Sequence, residues 1–190
     1  MRIALVTDAW LPQVNGVVRT LTAITGELMR RGHTVAVISP EQFRTVACPT
    51  YPEIRLAMVR SRTVGERIED FAPDAVHIST EGPLGRAARA HCLRAGRPFT
   101  TAFHTQFPDY LARRTGLPAA LFWPYFRRFH RGSAGIMVAT ETVRAQLAAQ
   151  GLERPHMWSR GVDLARFRPD IAPPGLFFAL PRPIQLSVGR

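Results

Sequence analysis

The sequence predicts an α/β protein built on a doubly wound parallel sheet of the Rossmann-like kind. Two observations predict this class. Short apolar runs, typical of buried parallel strands, alternate with longer stretches of helical periodicity, and glycine ends successive helical stretches, as at Gly32 and Gly96. The chain has 190 residues, 46% of them hydrophobic, which is enough for a sizeable core. We therefore expect helices on both faces of the sheet.

The first unit of this alternation joins an apolar strand to a helix through an irregular loop. Pro12 and the Asn15-Gly16 pair interrupt regular structure before the helix predicted at 16–31. A helix that begins near Gly16 directs unpaired backbone N–H groups beyond the end of the strand, and the missing side chain lets a diphosphate approach the backbone. An ordinary Asn-Gly turn is the alternative, because the G-x-G-x-x-G dinucleotide fingerprint is missing.

The rest of the chain repeats this alternation and then changes character. Strands are predicted at 2–7, 34–39, 54–59, 75–79, 98–103, 135–139 and near 156–159, with helices at 16–31, 63–71, 84–95 and 141–150, a helical region at 106–131 and a loop at 40–52. The proline-rich stretch that follows reads as a surface connection. We expect a domain at 1–160, a connection at 161–183 and the first strand of a further domain at 184–190.

The charge is strongly basic, and every basic residue is arginine. The formal net charge is +11, with 25 arginines and no lysine. This balance favours nucleic acid, an anionic membrane or phosphorylated substrates as partners. No apolar run approaches the roughly 20 residues of a membrane span, and the N-terminus leads into a strand rather than a signal peptide, so we expect a cytoplasmic protein. Cys48 and Cys92 lack metal-ligand spacing and are expected to be reduced thiols.

Polar residues follow four of the predicted strands at their carboxyl ends, where ligands bind in open parallel sheets. They are Asp8 and Gly16, Thr80-Glu81-Gly82, His104-Thr105 and Thr140-Glu141. Each has a structural alternative, since Asp8, Glu81 and Thr140 suit caps and His104 suits a hydrogen-bonded structural histidine. The residue types favour a ligand role for His104 and a structural role for Asp8 and Thr140, and they leave Glu81 open.

Four motifs occur in order along nearly the whole chain. They are TDAWLP (7–12) leading to Asn15-Gly16-Val17, TEGPLG (80–85), FHTQFPDY (103–110) and RGVD (160–163). Together they resemble the N-terminal half of retaining GT-B glycosyltransferases, and most of all the bacterial mannosyl- and glycolipid-forming transferases. The resemblance implies a two-domain enzyme that moves a hexose from GDP-mannose or a UDP-hexose to a lipid or saccharide acceptor, without an obligatory metal or other cofactor.

The resemblance also implies roles for single residues and for a missing part. The roles are catalysis by His104, binding of the donor diphosphate by Gly16, Asn15 and Arg190, and binding of the acceptor by Asp8, Glu81 and Thr105. The lysine and glutamates that normally complete the donor pocket in a C-terminal domain are absent from these residues. Because a phosphate leaving group needs positive charge aimed at it, we expect the 190-residue chain alone to be inactive.

The helical region at 106–131 combines aromatic residues with arginines and has two interpretations. One is a core-facing aromatic stripe with a solvated basic face, which is slightly favoured. The other is an interfacial element that meets an anionic bilayer, which would make the protein peripheral on the inner face of the plasma membrane. The second interpretation places at the membrane surface Arg113, Arg114, Trp123, Arg127, Arg128 and Arg131.

Two other functional classes each fit one feature of the sequence. A nucleotide-binding oxidoreductase fits the fold, but the glycine fingerprint is missing and Ser39-Pro40 stands where an acidic residue would follow the second strand. A nucleic-acid-binding protein fits the charge, but the arginines are dispersed and no helix-turn-helix, zinc or RNP pattern occurs. We therefore expect no nucleic-acid partner.

Overall fold

The computed structural model describes most of the chain. The described residues are 1–49, 51–159, 161–165, 167–170, 172, 175–181, 183 and 185, without the side chains of 51–53, 176 and 178. They divide into two compact units, Met1–Arg160 and Gly161–Arg190. The second unit includes a 3-10 helix at Gly175–Ala179. Arg190 lies outside the described residues, as does the strand predicted at 184–190 apart from residue 185.

The first unit alternates strands and helices. Its strands are β1 (Arg2–Val6), β2 (Thr34–Ile38), β3 (Thr45–Cys48), β4 (Tyr51–Ala57), β5 (Ala75–Ile78), β6 (Thr100–Phe103), β7 (Gly135–Val138) and β8 (Pro155–Met157). Its helices are α1 (Gly16–Arg30), α2 (Ser61–Phe71), α3 (Pro83–Arg94), α4 (Phe107–Thr115), α5 (Trp123–His130) and α6 (Glu141–Ala149). The predicted alternation is confirmed, with ends that differ by a few residues.

The main sheet is parallel throughout and has the strand order β2-β1-β5-β6-β7-β8 in the described residues. The chain leaves β1 for β2 on one side and later returns to β5 on the other side of β1. The direction of winding therefore reverses between β1 and β5, and in such sheets this reversal opens a crevice at the carboxyl ends of the strands. The predicted Rossmann-like class is confirmed.

Two predicted segments differ from the structure. The loop predicted at 40–52 contains β3, which pairs antiparallel with β4 in a separate two-stranded sheet, so β4 does not join the main sheet. Pro49 and Pro52 suggested a loop. The backbone groups of β3 and β4 are instead satisfied by the pairing of these two strands. The helical region at 106–131 is two helices, because α4 ends in a left-handed residue at Gly116 (φ 74°) and Pro118 follows.

Two core clusters lie side by side on the same face of the main sheet, as the register of β1, β5, β6 and β7 shows. One cluster packs α2 and α3 against β1 and β5 through Val6, Ile78, Val64, Ile68 and Leu84. A second cluster packs α5 and α6 against β6 and β7 through Phe103, Trp123, Phe126, Val138 and Leu147. The helices are thus held by apolar faces, which fixes the loops that follow each strand.

Trp123 requires a correction, because it does not lie at the surface. Its side chain is 6% exposed and its ring stacks on Phe103 with centroids 6.1 Å apart. The periodicity of α5 places Trp123, Phe126 and His130 on one face, directed into the core. The core-facing interpretation therefore applies to Trp123. None of the helices in the described residues has the length and apolar character needed to cross a membrane.

Candidate functional site

The carboxyl edge of the main sheet brings together the polar segments that follow β1, β5, β6 and β7. The register pairs Val6 with Ile78, so β1 and β5 end at the same level, and it pairs Phe103 with Val138, so β6 and β7 end together. Because Ile78 pairs with Thr101, β6 and β7 extend two residues further along the same edge. The geometry of each segment decides which of its groups are available to a ligand.

Gly16 opens α1 on the exposed side of this edge. A Cβ at Gly16 would meet no atom within 4 Å, and its φ lies outside the left-handed region, so neither packing nor backbone conformation requires glycine here. The Asn15 side chain is engaged locally, because its Oδ1 accepts a hydrogen bond from the Val18 amide at 3.0 Å and caps the helix. The open space in front of the Gly16 backbone is therefore the feature left for a ligand.

Asp8 is buried, and its carboxylate fastens the end of β1 to the start of α3. Its Oδ1 accepts from the Leu84 amide at 2.8 Å, while Oδ2 accepts from the Thr80 hydroxyl at 2.8 Å and the Gly85 amide at 3.3 Å. Burial raises the pKa of Asp8 although these hydrogen bonds oppose the rise. Asp8 therefore serves as a cap supplied from another strand, which agrees with the structural role favoured for it.

The two glycines of the 80–85 motif permit this close approach. A Cβ at Gly82 would lie 2.5 Å from the Asp8 carboxyl carbon, and a Cβ at Gly85 would overlap the Thr80 carbonyl oxygen. Any larger residue would push α3 away from β1 and β5. The spacing of these glycines was visible in the sequence, but its packing reason was not.

Glu81 is also buried, and two residues of α5 hold it. Its Oε1 lies 3.3 Å from Nε2 of His130, and the Tyr125 hydroxyl donates to the Glu81 carbonyl oxygen. The other ring nitrogen of His130 lies 2.9 Å from the Thr101 hydroxyl oxygen. Glu81 is thus tied into a buried polar network whose partner, His130, the sequence analysis did not select. The only sequence signal for His130 was its position among the aromatic residues of α5.

His104 lines an open cleft of about 530 Å³ beyond the ends of β6 and β7. It is half-buried, and its ring centroid lies 5.7 Å from that of Trp158, which follows β8. Gln106, Thr140 and Ser159 line the same cleft, and Thr140 also caps α6 by accepting from the Val143 amide at 3.3 Å. Thr105, adjacent to His104, is half-buried as well. His104 therefore faces a space large enough for a sugar ring.

Trp158 connects His104 to a second histidine that the sequence analysis missed. The His77 ring lies edge-on to Trp158, with centroids 5.8 Å apart, and its Nδ1 lies 2.8 Å from the Thr100 hydroxyl oxygen. Burial, with a smaller contribution from His104, lowers the pKa of His77 to about 4. His77 is therefore uncharged at neutral pH, and it supports the wall of the site.

The predicted basic surface is partly present. Arg113, Arg114, Arg128 and Arg131 are exposed, whereas Arg127 is half-buried. Arg114 donates to the Tyr110 hydroxyl at 3.2 Å across one turn of α4. The arginines therefore form a solvated face on α4 and α5 above the aromatic core, without the contribution of Trp123.

An α/β domain of this topology, with polar groups and an open helix start collected at the carboxyl edge, fits the N-terminal half of a GT-B glycosyltransferase. The chain belongs to Glycosyltransferase Family 4, whose sequence model matches residues 14–166. The resemblance seen in the motifs is thereby confirmed. Family membership favours the glycosyltransferase interpretation over the oxidoreductase and nucleic-acid-binding alternatives.

Characterised relatives point in the same direction. The chain is 29% identical to a GDP-mannose-dependent alpha-mannosyltransferase of Mycobacterium tuberculosis over 188 residues, which cover 89% of this chain and 50% of that protein. It is 26% identical to a sulfoquinovosyl transferase of Arabidopsis thaliana, covering 86% of this chain and 36% of that protein. It is 26% identical to an alpha-monoglucosyldiacylglycerol synthase of Streptococcus pneumoniae, covering 90% and 43%. The chain thus spans half or less of the length of these relatives.

Proposed function

We propose that this domain forms the acceptor-side half of an enzyme that transfers a hexose from a nucleotide sugar to a lipid or saccharide acceptor, with retention at the anomeric carbon. The observation that carries the proposal is the open start of α1 at Gly16, on the same sheet edge as the cleft lined by His104. Membership of Glycosyltransferase Family 4 supports the reaction class.

The backbone at Gly16 suits the leaving group of such a reaction. As the glycosidic bond to the donor breaks, negative charge grows on the diphosphate, and N–H groups at a helix start stabilise that charge without reorganising. The side chain missing at Gly16 allows the phosphate oxygens to come within hydrogen-bond distance of the backbone. His104, at the end of β6, is assigned to the donor sugar and the acceptor hydroxyl.

The remaining predicted residues are proposed for the acceptor side. Thr105 lies next to His104 and keeps its place as an acceptor contact. Asp8 and Glu81 are engaged by protein partners, so we assign them to shaping the acceptor pocket through the segment at 80–82 rather than to direct binding. Arg190 keeps its proposed role in the donor phosphate clamp.

The donor pocket requires a second domain. The matched region covers half or less of the relatives named above, which supports a further half that binds the donor in the complete protein. We propose that the 190 residues alone do not transfer sugar and that the complete enzyme needs no metal. GDP-mannose is the first donor to test, because the mycobacterial relative is named for it, and a UDP-hexose is the second.

A donor and acceptor screen tests the proposal. The complete protein would be incubated with radiolabelled GDP-mannose or UDP-hexoses, with diacylglycerol, a phospholipid or an oligosaccharide, in the presence and absence of EDTA. We expect α-linked product from one donor class with unchanged rates in EDTA. Failure to transfer sugar from any of these donors would contradict the proposed reaction, and a β-linked product would contradict retention. Sugar transfer by residues 1–190 alone would contradict the need for a second domain.

We also propose that the basic face of α4 and α5 holds the protein at the cytoplasmic surface of the membrane. Juxtamembrane arginines each contribute about 1 kcal/mol near an anionic surface, which gives reversible attachment. One relative supports a membrane-lipid context, because the Streptococcus pneumoniae protein is named a monoglucosyldiacylglycerol synthase.

A further inference from the structure

A groove of about 560 Å³ runs between α3 and α5, apart from the cleft at His104. The two cavities share no lining residue among those described. Arg86 and Arg89 of α3 form one wall of the groove, and Tyr125 and Arg128 of α5 form the other. The described lining contains three arginines and no acidic residue.

Arg89 is fixed in place at the base of this groove. Its guanidinium donates to the carbonyl oxygens of Arg128 at 2.5 Å, Phe129 at 2.7 Å and Arg131 at 3.0 Å. These carbonyls lie at the C-terminal end of α5, where a positive charge is stabilising. The position of Arg89 is therefore set by the fold and does not depend on a ligand.

Arg89 and Arg128 act on one another, and Arg86 and Arg89 act on Tyr125. Burial lowers the pKa of Arg89, and the nearby charge of Arg128 lowers it further. Both Arg86 and Arg89 oppose the effect of burial, which raises the pKa of Tyr125 to about 12. Within the described part of the chain, neither Arg86 nor Arg128 has a carboxylate at ion-pair distance. The repulsion between Arg89 and Arg128 is thus left for an external anion to relieve.

We propose that this groove is a binding site for a phosphate group, carried by a mono- or diester. A tetrahedral phosphate has enough oxygens to accept from several guanidinium groups at once, and charge-assisted hydrogen bonds from arginine are the strong ones. A lipid headgroup and a soluble phosphate ester share this chemistry. The groove also adjoins the proposed acceptor region, since Tyr125 donates to the Glu81 carbonyl oxygen.

A paired set of variants separates this site from general electrostatic attraction. R86Q/R128Q removes two exposed charges of the groove and leaves Arg89, which α5 needs. R30Q/R31Q removes the same charge from the end of α1, outside the groove. Both side-chain pairs are exposed, so circular dichroism melts of the two variants are expected to match the native melt.

Isothermal titration with glycerol 3-phosphate and with inorganic phosphate, at low ionic strength, provides the first measurement. We expect saturable binding of one phosphate per chain, at least tenfold weaker in R86Q/R128Q and within twofold of native in R30Q/R31Q. Absence of saturable binding by either probe and by the vesicles described below would overturn the proposal. Equal weakening by the two double variants would overturn it too, because the effect would then follow net charge alone.

Vesicle flotation identifies the source of the phosphate. Vesicles of phosphatidylcholine with phosphatidylglycerol would be compared with phosphatidylcholine alone, with glycerol 3-phosphate as competitor. If a lipid headgroup occupies the groove, glycerol 3-phosphate reduces native flotation on the phosphatidylglycerol vesicles and has no further effect on R86Q/R128Q. If the competitor leaves native flotation unchanged while the soluble ester binds in titration, the ligand is a soluble phosphate ester.

Discussion

Nε2 of His130 lies 3.3 Å from Oε1 of Glu81, and both side chains are almost fully buried. In the described part of the chain, neither atom has a hydrogen-bond partner that would replace the other. The pair therefore joins α5 to the segment after β5 within the buried interior. Removing one partner of such a buried pair leaves the other without compensation, which is strongly destabilising.

The first prediction follows from this pair. H130Q is expected to lower the free energy of unfolding by about 3 kcal/mol, because the Glu81 carboxyl loses its partner. E81Q should also destabilise, and the E81Q/H130Q double variant should lose at least 1 kcal/mol less than the sum of the two singles. Urea unfolding at pH 7 measures all three variants. Strict additivity would show that the two residues are not coupled.

The second prediction concerns the pH dependence of stability through His77. Its pKa in the folded protein is about 4, against 6.5 for an unperturbed histidine, so the unfolded chain binds a proton at higher pH than the folded one. The contribution of neutral His77 to the free energy of unfolding is fully present above pH 6.5 and is lost as pH falls towards 4. Between pH 7 and pH 5 the native protein should lose about 1 to 2 kcal/mol more than H77Q. Parallel slopes for native protein and H77Q in urea unfolding would contradict this account.

The third prediction tests Asp8 as a cap for α3. D8A leaves the Leu84 and Gly85 amides without their acceptor and is expected to cost about 2 kcal/mol. D8N retains an acceptor oxygen for Leu84 and should cost less. Because burial raises the pKa of Asp8, the native protein should become less stable as pH rises from about 4 through the folded pKa. D8N should lack that component, and denaturation across pH 4 to 7 would reveal it.

The fourth prediction concerns the membrane surface of α4 and α5. R113Q/R114Q removes about 2 kcal/mol of attraction to an anionic bilayer and should weaken binding to phosphatidylglycerol vesicles roughly 30-fold. R30Q/R31Q is the matched control, since it removes two exposed arginines at the end of α1. Sedimentation with vesicles of increasing phosphatidylglycerol content measures both. Binding that does not depend on the anionic lipid would remove the membrane proposal.

Local pattern predicted the fold because strand and helix periods, and the glycines that end helices, are local properties. It missed the pairing of β3 with β4, since Pro49 and Pro52 are also typical of loops. The site depends on contacts between residues that are far apart in the sequence. Asp8 contacts Leu84, and Glu81 contacts His130, only after the sheet has formed. No sequence signal distinguished Trp123, which packs in the core, from Trp158, which lies against His104.

The central claim is that the start of α1 receives the donor phosphates, and Gly16 tests it most directly. Gly16 and Gly26 both lie in α1 with open space where a Cβ would stand, so G16A and G26A add the same methyl group without strain. The urea concentration at the midpoint of unfolding should be equal to or higher than that of the native protein for both variants. In the enzyme complete with its donor-binding domain, kcat/KM for sugar transfer should fall at least tenfold in G16A and stay within twofold of native in G26A. Transfer by G16A at the native rate would contradict the account.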